Sequence, residues 1–410
     1  MLAMKVFVAL PCLNESEYIS RFIDCIRQLS SVNFELFVCV NQPDGWWDDP
    51  VKRPVCIDNQ NTIDYLYKCS DLPLTVIDRS SQGKGWTGSH FGVGWARKTV
   101  MDAISAKANP LDIILSIDAD TTFNAAYLGS IRDSFLRHPG VAGLSVPYYH
   151  ELTGDGTTDR CILRYEIYMR YYALNMWRIH NPYRFTAIGS AMACTVRSYR
   201  TVGGITPHKS GEDFYFLQKL AKYGTILHWN PERVYPAARF SDRVLFGTGP
   251  AMIKGREGDW SSYPLYSSRL FDDIRATYDL FPYLYEKEVD TPMTAYLKKI
   301  FRTGDLWEPL RRNYKTREQF VRACVNRVDG LRILQYLKVR HKESCQTDEE
   351  NLRELFKIKF QRSNFKKQNV KLETLDFGSS PVHELDAVRN FLAEEEERER
   401  CSEWSLLSQG

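Results

Sequence analysis

Apolar and polar positions change their spacing several times along the chain, and each change predicts an element. Residues 5–10 form a short continuous apolar run, as in a strand covered on both faces. Ile19, Phe22, Ile23, Ile26 and Leu29 follow at helical spacing and make one apolar face. Asn14 stands three positions before Glu17, which predicts a capping-box variant where that helix starts. Further strands are predicted at 34–40, 74–77, 112–117 and 141–146, with one helix over 95–106 and another through Phe135 and Leu136. Residues 162–179 read as a helix rich in aromatics and arginine. Phe214, Leu217, Leu220 and Ala221 mark another, closed by Gly224. From about Asp272 the pattern is predominantly helical and charged. Strands alternating with helices predict an α/β fold: a mostly parallel sheet flanked by helices, followed by a mainly helical C-terminal region. In such sheets ligands bind at the carboxyl ends of the strands.

Composition narrows the class. At 410 residues the chain is long for one compact domain, so one large domain plus an accessory region is expected. With 43% apolar and 26% charged residues it is neither collagen-like nor wholly disordered. Basic and acidic residues nearly cancel at +3, so no nucleic-acid partner is expected. The balance hides local runs. Residues 357–371 hold six lysines or arginines and no acid, and residues 394–399 are acidic ahead of a tail expected to fray. The basic run is the place for peripheral contact with anionic lipid, set against the simpler reading of a solvated helix face. The ten cysteines are scattered without a C-x-x-C pair, which fits reduced thiols in a cytoplasmic protein. The N-terminus shows no signal-peptide pattern, and no run of 18 apolar residues predicts a transmembrane helix.

The sharpest chemical feature is Ser116-Ile117-Asp118-Ala119-Asp120 at the end of a predicted strand. Two carboxylates one residue apart can converge on Mg²⁺ or Mn²⁺, cations that take oxygen ligands and share them with phosphates. The simpler reading is a pair of turn-forming, helix-capping aspartates. The first strand ends in Pro11-Cys12-Leu13-Asn14-Glu15, a strand–turn–helix junction suited to a nucleotide's base and ribose. The second ends at Asn41, whose amide can meet a base edge, with Asp44 close behind. Gly83-Lys84-Gly85 and Gly92-Val93-Gly94-Trp95-Ala96-Arg97 form a glycine-rich basic region in which Lys84 or Arg97 can meet phosphate. Gly211-Glu212-Asp213-Phe214 places carboxylates at a helix N-terminus, where the helix dipole favours them and where one can serve as general base.

Taken in order, these pieces resemble a known family. Val8-Ala-Leu-Pro-Cys-Leu-Asn-Glu15, Asp118-Ala-Asp120, Ile188-Gly-Ser-Ala-Met192 with Val202-Gly-Gly204, and Gly211-Glu-Asp-Phe214 look like the family 2 glycosyltransferases of the GT-A fold, over roughly residues 4–245. The resemblance implies a Rossmann-like GT-A domain at 1–245 and a mainly helical accessory region with a charged tail at 246–410. It implies inverting transfer of a sugar from a nucleoside-diphosphate donor to an acceptor hydroxyl, assisted by Mn²⁺ or Mg²⁺, with a glycan or lipid-linked acceptor of the cell surface. Asp118 and Asp120 match the family's Asp-x-Asp, which holds the metal and the donor. Asp213 matches the member of the Glu-Asp pair that acts as general base, with Glu212 supporting it. Pro11, Asn14 and Glu15 match the nucleotide-side turn.

The chain also departs from the family. Many relatives carry an acid at the end of the second strand where this one has Asn41, so Asp44 is the substitute candidate. The Gln-x-x-Arg-Trp motif of processive synthases is missing, which argues against polymer extrusion. Arg239 and Arg243 follow the base candidate and are candidates for the diphosphate, with ordinary exposed arginine as the alternative. His208 and His228 flank the Glu-Asp helix as further metal-ligand candidates, although capping or surface roles suit them better. Tyr165, Tyr168, Tyr171, Tyr172 and Trp177, interleaved with Arg164, Arg170 and Arg178, suit an acceptor platform or, at helical spacing, a packed core. Two rival functions remain: a nucleotidyltransferase forming activated sugars, and a carbohydrate- or nucleotide-binding protein without turnover.

Overall fold

The computed structural model describes residues 4–242, 247–360 and 371–407. The chain separates into two compact units: Met1–Ile162 with Phe185–Asp259 and Glu397–Gly410, and Leu163–Arg184 with Trp260–Glu396. This division differs from the expected break after residue 245, because the second unit takes 163–184 from the first half and the first unit takes the C-terminal residues.

In the first unit, β1 (Val6–Cys12), β2 (Phe34–Asn41), β3 (Leu74–Arg79), β4 (Ile113–Ser116), β6 (Gly143–Ser145), β7 (Met192–Thr195) and β8 (Ile226–Leu227) form one sheet in the order β3-β2-β1-β4-β7-β6-β8. A separate antiparallel ribbon pairs β5 (Thr121–Phe123) with β9 (Val234–Pro236). Neighbours from β3 to β4 are parallel; β7 runs antiparallel to both β4 and β6. All seven residues of β1 are buried, as its unbroken apolar run predicts for a central strand. The helices are α1 (Ser16–Arg27), α2 (Arg53–Lys68), α3 (Val93–Lys107), α4 (Tyr127–Arg137), the first turns of α5 (Gly156–Arg178), whose residues 163–178 belong to the second unit, α6 (Val196–Thr201), α7 (Glu212–Tyr223) and α8 (Thr248–Arg256).

Two sequence expectations fail here for a shared reason. The predicted capping box does not form: α1 starts at Ser16, and its N-cap residue Glu15 makes no side-chain cap. Instead the Ser16 amide donates to Asp58 at 3.2 Å, so the cap comes from α2. That helix was not predicted, because two of its five buried positions, Asn59 and Thr62, are polar and dilute its apolar period.

The second unit is helical, as the pattern predicts: α9 (Ser268–Leu284), α10 (Thr294–Phe301), α11 (Glu308–Asn313), α12 (Arg317–Arg327), α13 (Gly330–His341), α14 (Asp348–Lys359) and most of α15 (Val382–Leu407). Phe271, Phe281, Trp307, Phe320, Ile333 and Leu355 are fully buried in it. The acidic stretch 394–399 continues α15, and Glu396 is buried against Arg170 at 2.8 Å; residues 408–410, at the end expected to fray, lie outside the described residues. The aromatics of α5 serve mainly as core. Tyr165, Tyr171 and Trp177 are buried. Arg164, Arg170 and Arg178 are tied to Asp348, Glu166 and Asp272, so these guanidiniums already have their anions. Of the basic run at 357–371, residues 361–370 lie outside the described residues. All ten cysteines are free.

Candidate active site

The site is assembled around one buried arginine. Arg97 lies on α3 near the glycine-rich entry of that helix, and only 2% of its side chain is exposed. Its Nε donates to Glu212 at 3.0 Å, and its Nη2 to Asp118 at 2.9 Å. Its Nη1 donates to Ser116 at 2.5 Å and to the Gly189 carbonyl at 3.0 Å. One guanidinium thus joins the end of β4, the loop before β7 and the first turn of α7. Burial works against its charge, but Asp118 and Glu212 outweigh that and hold its pKa above the ordinary arginine value. A Cβ at position 189 would sit 2.4 Å from Arg97 Nη2, so any larger residue there would have to displace the guanidinium.

This contact brings the Asp-x-Asp and Glu-Asp motifs together, although they are far apart in sequence. Glu212 is spent on Arg97 and buried, so it is a positioning residue. Asp213, next to it, is half-buried, and its Oδ1 accepts the Phe214 amide at 2.7 Å. Burial, then the Glu212 charge, raise the pKa of Asp213, with Arg97 opposing them. A carboxylate so disposed binds a proton readily near neutrality, as a general base requires.

The second aspartate has a different partner. Asp120 Oδ2 lies 2.5 Å from Arg239 Nη2, and the same nitrogen donates to Glu15 at 2.7 Å. The ribbon explains the proximity: Thr121 pairs with Pro236, and the Ala237 amide donates to the Asp120 carbonyl at 3.1 Å. The Arg239 guanidinium also stacks 4.3 Å from the centroid of Tyr18 on α1. Glu15, expected at the nucleotide, is therefore a buried anchor for Arg239. Arg243 lies outside the described residues.

Several donor candidates are committed elsewhere. Arg97 is enclosed by protein and faces no solvent-borne phosphate. Asn41 is 2% exposed; its amide donates to the Cys12 carbonyl at 2.8 Å and accepts from Trp86 at 3.2 Å. The side chain expected to read a base thus ties β2 to β1 and to the loop beyond β3. Asp44 accepts from the amides of Gly83 and Gly85 at 2.8 and 3.2 Å, stapling two loops. Lys84 pairs with Asp78 at 3.0 Å on the surface. Pro11 lies buried within β1, while Asn14 is exposed with φ of 57°, a left-handed turn that asparagine tolerates. The His208 ring packs on Tyr215 at 4.4 Å, and His228 lies against the C-terminal segment through Arg400 and Glu403. Sequence reading quoted Ser116 within the Asp-x-Asp motif without giving it a role, and missed Tyr18 and Asn59, which help hold these groups in place; tyrosine and asparagine carry no motif signal of their own.

The donor set suits a cation that shares its ligands. The Asp118 and Asp120 side chains are 33% and 18% exposed, and both offer hard oxygen atoms. Among the described residues no group of three His, Cys, Asp or Glu side chains forms a closed metal cage. Mg²⁺ and Mn²⁺, which keep waters and bind through one or two carboxylates plus phosphates, fit such a site; zinc, which takes a fuller protein shell, does not.

The family model described as "Glycosyl transferase family group 2" matches residues 113–248, the stretch from β4 through the Glu-Asp helix to the start of α8. The match covers less than half of the chain. The chain carries a glycosyltransferase domain, and the domain's sheet is mostly parallel with β7 reversed beside β4. No curated sequence matches the chain. Among solved structures, TarS 1–349 of S. aureus in complex with UDP-GlcNAc is 13% identical, covers 96% of this chain and 92% of its own, and has a TM-score of 0.41. Glucosyl-3-phosphoglycerate synthase of Mycobacterium tuberculosis, in complex with Mn²⁺, UDP and glucosyl-3-phosphoglycerate, is 15% identical, with coverages of 63% and 82% and a TM-score of 0.34. Mannosyltransferase PcManGT of Pyrobaculum calidifontis, in complex with GDP-Man and Mn²⁺, is 14% identical, with coverages of 96% and 86% and a TM-score of 0.34. At these values none of the three assigns a donor or an acceptor to this chain. Among the described residues no helix is long and apolar enough to cross a membrane.

Proposed function

We propose that the domain transfers a sugar from a nucleoside-diphosphate donor to an acceptor hydroxyl with inversion at the anomeric carbon. The observation that carries this reading is the Arg97 bridge, which draws the Glu-Asp turn of α7 and the Asp-x-Asp turn after β4 to one guanidinium. Asp213 accepts the proton of the acceptor hydroxyl as the acceptor oxygen bonds to the anomeric carbon. The bond from that carbon to the donor's phosphate oxygen breaks on the opposite face, and the electron pair leaves with the nucleoside diphosphate. Asp118 and Asp120 would hold a divalent cation, which when bound would supply positive charge to the departing diphosphate. Glu212 and Arg97 keep Asp213 in place and leave it as the carboxylate of that turn free to take the proton.

The test is incubation of the full chain with Mn²⁺ and a panel of UDP-, GDP- and dTDP-sugars together with candidate glycan or lipid-linked acceptors. Release of nucleoside diphosphate, with the anomeric configuration of the product inverted by NMR, supports the reading. Pyrophosphate released from a nucleoside triphosphate and a sugar phosphate would instead identify a nucleotidyltransferase. Donor binding without turnover across the panel would identify a binding protein.

A further inference from the structure

The two aspartates of the Asp-x-Asp are neutralised in different ways. Asp118 pairs with Arg97, which four hydrogen bonds fix inside the unit, so that pair opens only if the core is disturbed. Asp120 pairs with Arg239, whose contacts are less complete. A single nitrogen, Nη2, serves both Glu15 and Asp120, at 2.7 and 2.5 Å. The Nε of Arg239 is buried without a hydrogen-bond partner. A guanidinium presents five N–H groups in a planar fork suited to bidentate oxyanions, and here that fork is matched by neither carboxylate. The Arg239 and Asp120 side chains are 17% and 18% exposed, so the pair borders solvent.

We propose that Arg239 is an exchangeable counter-ion: it balances Asp120 and Glu15 in the free protein and passes to the donor's diphosphate, releasing Asp120 to the divalent cation. The inference rests on the donor reading above and adds an order of events to it. A cation arriving alone must displace Arg239 from Asp120 and leave that arginine with Glu15 only. A diphosphate arriving alone must draw Arg239 away from two carboxylates. When both arrive, each supplies the charge that the other displaces, so each strengthens the binding of the other by the same factor. Glu15 and the Tyr18 ring keep the guanidinium close to the site throughout.

Binding of Mn²⁺ to the full chain, read from the electron paramagnetic resonance of free Mn²⁺, tests this without relying on turnover. It is measured alone and with UDP or GDP. Wild type is expected to bind Mn²⁺ weakly alone and about tenfold or more tightly with whichever diphosphate binds, within the usual range of coupling between sites. Arg239→Gln is expected to bind Mn²⁺ alone about tenfold more tightly than wild type, while the gain from the diphosphate shrinks to about threefold or less. Arg239→Lys keeps the charge but loses the planar guanidinium and its stacking on Tyr18, so it is held less firmly at the two carboxylates and should shift in the same direction by a smaller factor; it also guards against misfolding of the first variant. Mn²⁺ affinity in both free variants equal to or weaker than wild type would overturn the exchange. If that result came with intact donor turnover, the transfer reading would stand and only the exchange would fall. If no form bound Mn²⁺ although UDP or GDP bound, metal assistance and the exchange would fall together.

Discussion

Replacing Arg97 by methionine removes the cation while keeping much of the buried volume. The perturbation is well defined, because the guanidinium is 2% exposed and its partner Glu212 is 4% exposed. Removing one member of a buried ion pair leaves the other charge uncompensated, at a cost of about 3–5 kcal/mol. At about 1.4 kcal/mol per tenfold, that is roughly two to three and a half orders of magnitude in the folding equilibrium of the unit. Urea unfolding followed by circular dichroism should show the midpoint of Arg97→Met lowered with little change in slope. A double-mutant cycle isolates the cause. Once Glu212→Gln has removed the buried negative charge, the arginine matters less, so the double variant should lose at least about 1 kcal/mol less than the two single losses added together. A cost below about 1 kcal/mol for Arg97→Met, or strictly additive losses, would refute the view that this ion pair organises the site.

Other consequences can be measured in the same protein. Asp213→Asn should lower transfer by about 10²–10⁴-fold, the usual worth of a general base, while calorimetry shows nucleoside-diphosphate binding kept. Because burial and Glu212 raise the Asp213 pKa, the carboxylate loses its proton only as pH rises, so kcat/KM should climb with pH along an acidic limb. Glu212→Gln removes one of the charges that raise it, and that limb should move to lower pH; a limb that stays in place would show that Asp213 is not the titrating base. Gly189→Ala puts a Cβ against Arg97 and should cost about 1–3 kcal/mol by thermal unfolding, where a change within error would mean the loop moves aside freely. Chelation should abolish transfer and added Mn²⁺ should restore it, read as release of nucleoside diphosphate.

Much of this was legible in the amino-acid order, and the rest followed from contacts that no local pattern encodes. The apolar runs of β1, β2 and β4 mark buried strands because a strand covered on both faces is mostly apolar, with polar residues such as Asn41 and Ser116 only where they find a hydrogen-bond partner. The Asp-x-Asp and Glu-Asp turns are visible because ligand groups gather where strands and helices end. Which side chains point at the ligand is a different matter. Arg97, Asn41, Asp44 and Lys84 have the right chemistry for a donor, yet each is committed to a protein partner. A polar residue's type gives the bonds it is able to make; only its burial and neighbours decide which it does make, because a buried donor or charge must be matched on the spot. The same rule hid α2, whose buried Asn59 breaks the apolar period but bonds Gln42 at 2.7 Å and the Asn14 amide at 2.8 Å. The sequence by itself determined β1 to β4 and β6, the acidic turns and the helical second half, since these depend on period and residue type, whereas the short strands β5, β7, β8 and β9 carry too little pattern to read. Tertiary structure alone decided that Arg97 joins residues 118 and 212 and that Arg239 joins residues 15 and 120, since electrostatic pairing depends on distance in space and not along the chain.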